Sequence, residues 1–554
     1  MINYPISNRN DYDLLTLPLT KAKNILGTQI HVIEYYFGKE DTLMNKSLTF
    51  ALLTLMGATL LAACGQTNIE ADAGNDGDKL EIATTIYPVY AFTKEIVGDQ
   101  ADVSLMVPAG TEAHDYEPSA KQIAALNESN VLIYHNENME TWVPSAESSI
   151  EEDVNVIKGT ESMVLLPGIE DDHDHDHSDE EGHEGHSHAY DPHTWVSPYR
   201  AIVEVASITA QLSELYPDMA EEFQGNADAY MEELNELDAL YTEAFENASR
   251  QDFVTSHTAF TYLAVDYGLN QIGIAGLTPE EEPSAARLAE LADYVKENDI
   301  QYIYYEEAGS DSMAKTLADE AGVEMAVLNP LESLSQEAMD EGTDYISVMK
   351  ENLTSLQKTT DLPAADAETA EEETEQTVYN GYFEDADVAD RTLSDYAGEW
   401  QSVYPFLEDG TLDQVFDYKS KLNDGMTAEE YKEYYSTGYQ TDVDNINITD
   451  NTIEYIVAGE SKTFEYNYVG YEILTYEKGN RGVRFLFETN DPEAGDYKYV
   501  QFSDHNIAPV ETGHYHIYWG GESQEALLEE VDHWPTYYPT DMSGLEIAQE
   551  MMAH

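Results

Sequence analysis

The chain has 554 residues, too many for one compact core at roughly 100 to 200 residues per domain, so three or four folding units are expected. Its 110 acidic against 25 basic residues give a formal net charge of −85, which repels phosphate backbones and anionic head groups and excludes nucleic acid as a partner. A hydrophobic fraction of 42% with 40 tyrosines excludes wholesale disorder. The acidity itself has two readings, attraction of cations and a surface suited to a saline or alkaline medium, and composition favours neither.

A single cysteine rules out an internal disulfide, a cysteine-rich metal site and a CxxC redox pair, so its position decides its meaning. Cys64 ends a segment that starts at Met44, carries Lys46, runs apolar from Leu48 and closes with Leu61-Ala62-Ala63-Cys64. This segment resembles a bacterial lipoprotein signal: residues 44–63 are cleaved, Cys64 is diacylated, and residues 64–79 tether the mature chain to the extracytoplasmic face of the cell membrane. The apolar run is short for a spanning helix of about 20 residues, although an uncleaved anchor with a buried Cys64 is the alternative. Residues 1–43 show neither repeat nor helical periodicity, and Lys39-Glu40-Asp41 can be encoded by a ribosome-binding sequence just before Met44. They are expected to be untranslated.

From Leu80 onward short apolar runs alternate with amphipathic stretches, the signature of an α/β fold. Strands are expected at 80–86, 103–107, 131–134, 253–256, 300–305 and 323–328, with helices between them, one over 284–298. Phe223, Ala227, Tyr230, Leu234, Leu237 and Phe245 draw one apolar stripe on a long helix that can serve as a spine between two lobes. His114, His257 and Glu332 each follow an expected strand. In open α/β sheets such positions converge on the ligand crevice, where His193 can join as a fourth donor. Glu306 and Glu307 follow a strand end too and compete with Glu332.

Three segments, Val107-Pro-Ala-Gly-Thr-Glu-Ala-His114-Asp-Tyr-Glu-Pro-Ser119, Asp191-Pro-His193-Thr-Trp-Val-Ser-Pro198 and Ser256-His257-Thr-Ala-Phe-Thr-Tyr-Leu263, are specific together, and Pro279-Glu-Glu-Glu-Pro-Ser284 extends the match. They resemble the zinc-specific solute-binding proteins of ATP-binding-cassette importers, of the ZnuA and AdcA type, over residues 80–356. The resemblance implies two α/β lobes joined by a long helix, with Zn2+ held between them by His114, His193, His257 and a carboxylate, assigned by position to Glu332. It further implies delivery of the ion to a membrane permease and its ATPase by a chain expected to act as a monomer. Imidazole donors favour zinc over manganese and harder cations, and a site filled by four protein ligands suits holding metal better than activating water.

Residues 171–188 hold His173, His175, His177, His183, His186 and His188 among aspartates, glutamates and glycines. Such a tract packs no core and reads as a solvated collector that binds metal weakly at several exchangeable places. Residues 357–377 turn acidic and poor in apolar side chains, an extended linker expected to let a second module move near the crevice.

Residues 378–554 change class. Tyrosine-rich segments at 452–457, 463–476, 482–488, 497–503 and 514–519 predict an antiparallel sheet or barrel. His514 and His516 share one strand face and His505 ends the preceding strand, so a hairpin can bring all three to one ion. The segments Leu393-Ser-Asp-Tyr-Ala-Gly-Glu-Trp-Gln-Ser-Val-Tyr-Pro-Phe406, Phe502-Ser-Asp-His505-Asn-Ile507 and Gly513-His514-Tyr-His516-Ile-Tyr518 resemble the ZinT domain, a zinc-binding lipocalin-like (calycin) all-β barrel. That resemblance implies ligation by His505, His514 and His516, with His533 and His554 left structural or incidental. Two rivals are a zinc hydrolase at this second site, with Glu511 as its base, and a surface zinc buffer or adhesin without transport.

Overall fold

The computed structural model describes residues 79–553 apart from 169–189, 280–282, 307–309, 364–376, 379–380, 424 and 477–479. The expected signal with Cys64, the histidine-rich tract, most of the acidic linker, Glu307 and His554 lie outside the described residues.

The first part contains two four-stranded parallel sheets. One is ordered β2-β1-β3-β4, from β1 (Leu80–Thr84), β2 (Ala101–Leu105), β3 (Val131–Tyr134) and β4 (Asn155–Lys158). The other is ordered β6-β5-β7-β8, from β5 (Asp252–Thr255), β6 (Asn270–Gly273), β7 (Tyr302–Tyr305) and β8 (Glu324–Val327). The same order in both lobes places the first strand of each inside its sheet, where its carboxyl end opens on a crevice. Strands β4 and β6, not anticipated from the sequence, are sheet edges with mostly exposed or half-buried side chains, so they lack the continuous apolar run of a central parallel strand.

The Ala220–Phe245 helix is the spine: Phe223, Ala227, Tyr230, Leu234, Leu237, Tyr241 and Phe245 are buried along one stripe. It packs along the Pro198–Leu215 helix and touches helices of both lobes, Tyr87–Val97 on one side and Thr261–Tyr267 and Tyr345–Thr360 on the other. Polar contacts pin each end, Asn226 donating to Ile96 O (3.1 Å) and Tyr241 to Met349 O (2.7 Å). The Tyr345–Thr360 helix runs past residue 357, where the composition predicts the linker, because Thr359 and Thr360 are buried against the second lobe.

The C-terminal part is one antiparallel sheet of nine strands. They are β9 (Gly398–Ser402), β10 (Asn445–Ile448), β11 (Thr452–Val457), β12 (Glu460–Glu465), β13 (Asn467–Thr475), β14 (Arg481–Glu488), β15 (Tyr499–Ser503), β16 (Tyr515–Gly520) and β17 (Thr536–Pro539), ordered β12-β11-β10-β9-β17-β16-β15-β14-β13. The sheet curls on its aromatic core: the rings of Tyr455 on β11 and Trp519 on β16 lie 5.9 Å apart although three strands separate β11 from β16 in the order. The expected barrel is therefore incompletely closed, with β12 and β13 at its two edges, and the single strand expected over 463–476 breaks at Tyr466. Among the described residues five helices there, Tyr404–Glu408, Asp413–Leu422, Ala428–Tyr439, Gln524–Leu528 and Gly544–Ala553, depart from the all-strand expectation, although Thr427 and Glu430 form a capping box legible as Thr-x-x-Glu.

These helices overturn the picture of a freely swinging module. Val415, Phe416 and Tyr418 of Asp413–Leu422 and Ile547, Ala548 and Met551 of Gly544–Ala553 belong to the same buried cluster as the lobes. Two glutamine amides grip the backbone of residues 162–165: Gln414 donates to Ser162 O (2.9 Å) and accepts from Val164 N (3.1 Å), and Gln549 donates to Leu165 O (2.7 Å) and accepts from Leu165 N (2.8 Å). Beside them Arg200 makes a bidentate pair with Asp266 (2.9 and 2.6 Å) and reaches Asp417 (2.9 Å), while Lys421 meets both aspartates at 2.8 and 3.0 Å. One charge network thus ties the first lobe, the second lobe and the Asp413–Leu422 helix of the C-terminal part. Asp266 is buried, and burial opposes its charge, but Arg200 and Lys421 outweigh that and hold its carboxyl below the usual carboxylate range.

Breaking a buried pair strands a desolvated charge, so Asp266→Asn should lower stability by about 3 kcal/mol, measured by urea unfolding of the full chain. An unchanged midpoint would contradict the network's role.

Candidate metal centres

Four donors from both lobes meet in the crevice. His114 lies in the loop after β2, His193 just before the Thr194–Val196 turn, His257 two residues past β5 and Glu332 in the loop after β8. Glu332 Oε1 stands 3.1 Å from His257 Nε2, 3.4 Å from His193 Nε2 and 3.5 Å from His114 Nε2, and the last two nitrogens are 3.2 Å apart. A tetrahedron with metal–ligand bonds of about 2.0–2.1 Å has edges of roughly 3.3–3.4 Å. The donors therefore already outline the coordination polyhedron of zinc.

The outward nitrogens explain why Nε2 faces inward. His193 Nδ1 is 2.8 Å from Asp191 Oδ1, which also accepts from the His193 backbone N–H (2.9 Å). His257 Nδ1 is paired with Glu306 Oε1, itself held by Ser256 Oγ at 2.7 Å. Glu306 orients His257 from behind, and the carboxylate among the imidazoles is that of Glu332. The Glu332 loop turns through Leu331 at φ 60 and is fixed by Asn352, which accepts from Asn329 N (2.9 Å) and donates to Asn329 O (2.7 Å), and by Trp195 donating to Pro330 O (2.6 Å). Asp191 is anchored in turn: Tyr262 donates to Asp191 O (2.7 Å) and accepts from Leu166 N (2.9 Å). A hydrogen-bonded path thus leads from residues 162–166, gripped by the C-terminal helices, to a donor of the site.

Sequence reasoning missed His135, which also follows a strand. Fully buried, it faces Glu204 through Nδ1 (2.8 Å) and Pro192 O through Nε2 (2.6 Å), two acceptors that favour the protonated ring and brace the His193 loop. Burial opposes that charge, but Glu204 prevails and raises its pKa.

In the C-terminal sheet His505, His514 and His516 have ring centres 6.1, 5.6 and 5.9 Å apart, a nearly equilateral triangle whose nitrogens lie within 4.8 Å of one another. The β15–β16 register pairs Ser503 with His516, and His505 reaches the triangle through a left-handed turn at φ 64. His516 Nδ1 donates to Thr536 Oγ1 (2.7 Å), which donates to Trp534 O (3.0 Å), leaving Nε2 free to bind. His514 stacks on Tyr538. Buried Arg391 clamps both flanks, donating to Asp504 (2.6 and 2.7 Å), Val510 O (2.8 Å) and Thr512 Oγ1 (2.8 Å). Glu511 is exposed and lies outside the donor group, and His533 is engaged by Gln440 O.

The two sites differ in how they hold protons. Burial opposes charge on His257, but Glu306 and Glu332 outweigh it and keep its pKa well above the ordinary imidazole value. Burial likewise opposes ionisation of Glu332, yet the imidazoles hold its carboxyl well below the usual range. At the second site burial and the neighbouring His505 and His514 push His516 well below that value.

Two parallel-sheet lobes on a helical spine, with a closed donor set in the crevice, define a metal-capturing solute-binding protein. Comparison with known proteins is specific: residues 82–359 match the family model "Zinc-uptake complex component A periplasmic", and residues 374–554 match "ZinT (YodA) periplasmic lipocalin-like zinc-recruitment". The chain belongs to the zinc-uptake component A family, with a ZinT domain behind it. It is 58% identical over 507 residues to the zinc-binding lipoprotein AdcA of Streptococcus pneumoniae, covering 91% of this chain and 99% of that one. It is 47% identical over 298 residues to the high-affinity zinc uptake system protein ZnuA of Bacillus subtilis, covering 54% and 92% respectively. The crystal structure of Zn(II)-bound AdcA from S. pneumoniae superposes with a TM-score of 0.78 at 57% identity, covering 86% of this chain and 100% of that one.

Because a raised folded pKa means a proton retained to higher pH, a zinc ion bound through His257 would have to displace a proton near neutrality, whereas one bound through His516, whose pKa is pushed down, would not. Competition with a chelator across pH 5–8 should therefore show affinity at the crevice site falling more steeply on acidification than at the His505 site. Equal slopes would contradict this assignment.

Proposed function

We propose that this chain captures Zn2+ outside the cytoplasm and hands it to the permease of an ATP-driven importer, with His114, His193, His257 and Glu332 as the ligands of the transported ion. The observation that carries the reading is the set of donor separations in the crevice, which match tetrahedral zinc and draw ligands from both lobes. Four protein donors leave no coordination position for a water nucleophile, so the site suits retention and release rather than hydrolysis. His505, His514 and His516 form an accessory site that keeps a position open for exchange. The tract from His173 to His188 collects ions weakly at several exchangeable places. Diacylated Cys64 holds the mature chain, as a monomer, on the extracytoplasmic face of the membrane, in keeping with the name lipoprotein given to its S. pneumoniae relative.

Uptake of radioactive zinc tests the division of labour. His114→Ala should abolish high-affinity uptake at any zinc level, whereas His514→Ala with His516→Ala should slow it only when zinc is scarce. Point variants are required because removing the C-terminal domain would expose the apolar faces it buries. Full transport by His114→Ala would overturn the proposal, and normal lipid labelling of Cys64→Ser would remove the anchor.

A further inference from the structure

A half-open cavity of about 680 Å³ lies between the lobes and is lined by none of the crevice donors. Its walls include Tyr87, Lys94 and Glu95 on the Tyr87–Val97 helix, Tyr230 and Glu233 on the spine, and Asp344 at the start of the Tyr345–Thr360 helix. Tyr87 is 4% exposed and Tyr230 7%, yet neither hydroxyl has a hydrogen-bond partner among the described residues. Neither oxygen is among the fully buried polar atoms that lack a partner, so both hydroxyls open on the cavity, where a ligand can meet them. Both hydroxyls stand in the field of Glu95 and Asp344, and Tyr230 also in that of Glu233; burial first and then these acids push the phenols up. Burial and Glu233 likewise raise Glu95, against the opposing pull of Lys94. Lys94, the one basic side chain in the lining, lies over the Tyr90 ring at 5.3 Å.

The cavity therefore offers unused acceptors, an excess of negative charge and aromatic surface. We propose that it binds a small organic cation, a primary ammonium or guanidinium on a short apolar stem, with the charged head between Glu95, Glu233 and the two phenol oxygens. A bare metal ion does not fit these residues, since among the described residues only the two histidine centres bring three or more donor atoms within 4.8 Å. The volume falls within the range of about 300–1,000 Å³ usual for small-ligand pockets, and aromatic faces complement cationic heads. The occupant contacts both lobes in the arrangement where Gly110 N donates to Ser333 Oγ (2.7 Å) and Tyr87 N to Glu332 O (3.3 Å). Binding that favours this arrangement tightens zinc, and zinc tightens the cation by the same factor.

The test is calorimetric titration of the zinc-loaded full chain with agmatine, with hexanediol as the uncharged control. The expected result is one saturable agmatine per chain, no hexanediol binding, and affinity about tenfold weaker in Glu233→Gln and in Tyr230→Phe while both variants keep wild-type zinc stoichiometry. The zinc stoichiometry shows that each variant is folded. Two outcomes overturn the proposal: no saturable binding at millimolar agmatine, or binding at many equivalent places that Glu233→Gln leaves unchanged, which the acidic surface alone would produce.

Discussion

A carboxylate buried among three imidazoles governs the architecture of the first site. Glu332 is 5% exposed, and its charge can stay in so dry a place only because positive charge faces it, a proton on the imidazoles or a divalent ion in their midst. The donor separations already lie near tetrahedral edge lengths, so a zinc ion taking the proton's place would need no movement of the donors. The site is thus built in advance. Because its donors come from both lobes, an ion held there would also hold the lobes together.

That requirement spreads outward through hydrogen bonds. Asp191 and Glu306 fix the outward faces of two imidazoles, Tyr262 fixes Asp191, and residues 162–166 fix Tyr262. The C-terminal helices hold that last segment through Gln414, Tyr418 and Gln549. The ZinT domain is consequently more than a tethered reservoir: its docking surface is continuous with the support of a crevice ligand. A partly buried network, with Arg200 and Asp266 at its buried centre and Asp417 and Lys421 at its edge, sets the docking geometry at the junction of all three bodies.

The crevice donors were legible because strand ends in parallel sheets converge, so His114, His257 and Glu332 could be nominated from position alone, and the hairpin spacing of His505, His514 and His516 was equally direct. The choice between Glu306 and Glu332 was not legible: both follow strands, and only geometry places Glu306 behind His257. His135 obeys the same positional rule yet spends both nitrogens on Glu204 and Pro192. Edge strands β4 and β6 escaped notice because exposure removes the apolar run. Among the C-terminal helices, Ala428–Tyr439 carries tyrosines as dense as those of the strands around it, which masks its periodicity, although the Thr427–Glu430 box marks it. Acidic composition at 357–377 predicted mobility between domains; the apolar faces of Asp413–Leu422 and Gly544–Ala553 that forbid it lie far along the chain.

The central claim, that both centres are preformed for zinc, is tested most directly by anomalous diffraction at the zinc edge on crystals of the zinc-loaded chain. The account predicts one peak within bonding distance of His114, His193, His257 and Glu332 and a second among His505, His514 and His516. A crevice without a peak, or an ion bound by Glu306 in place of Glu332, would contradict it.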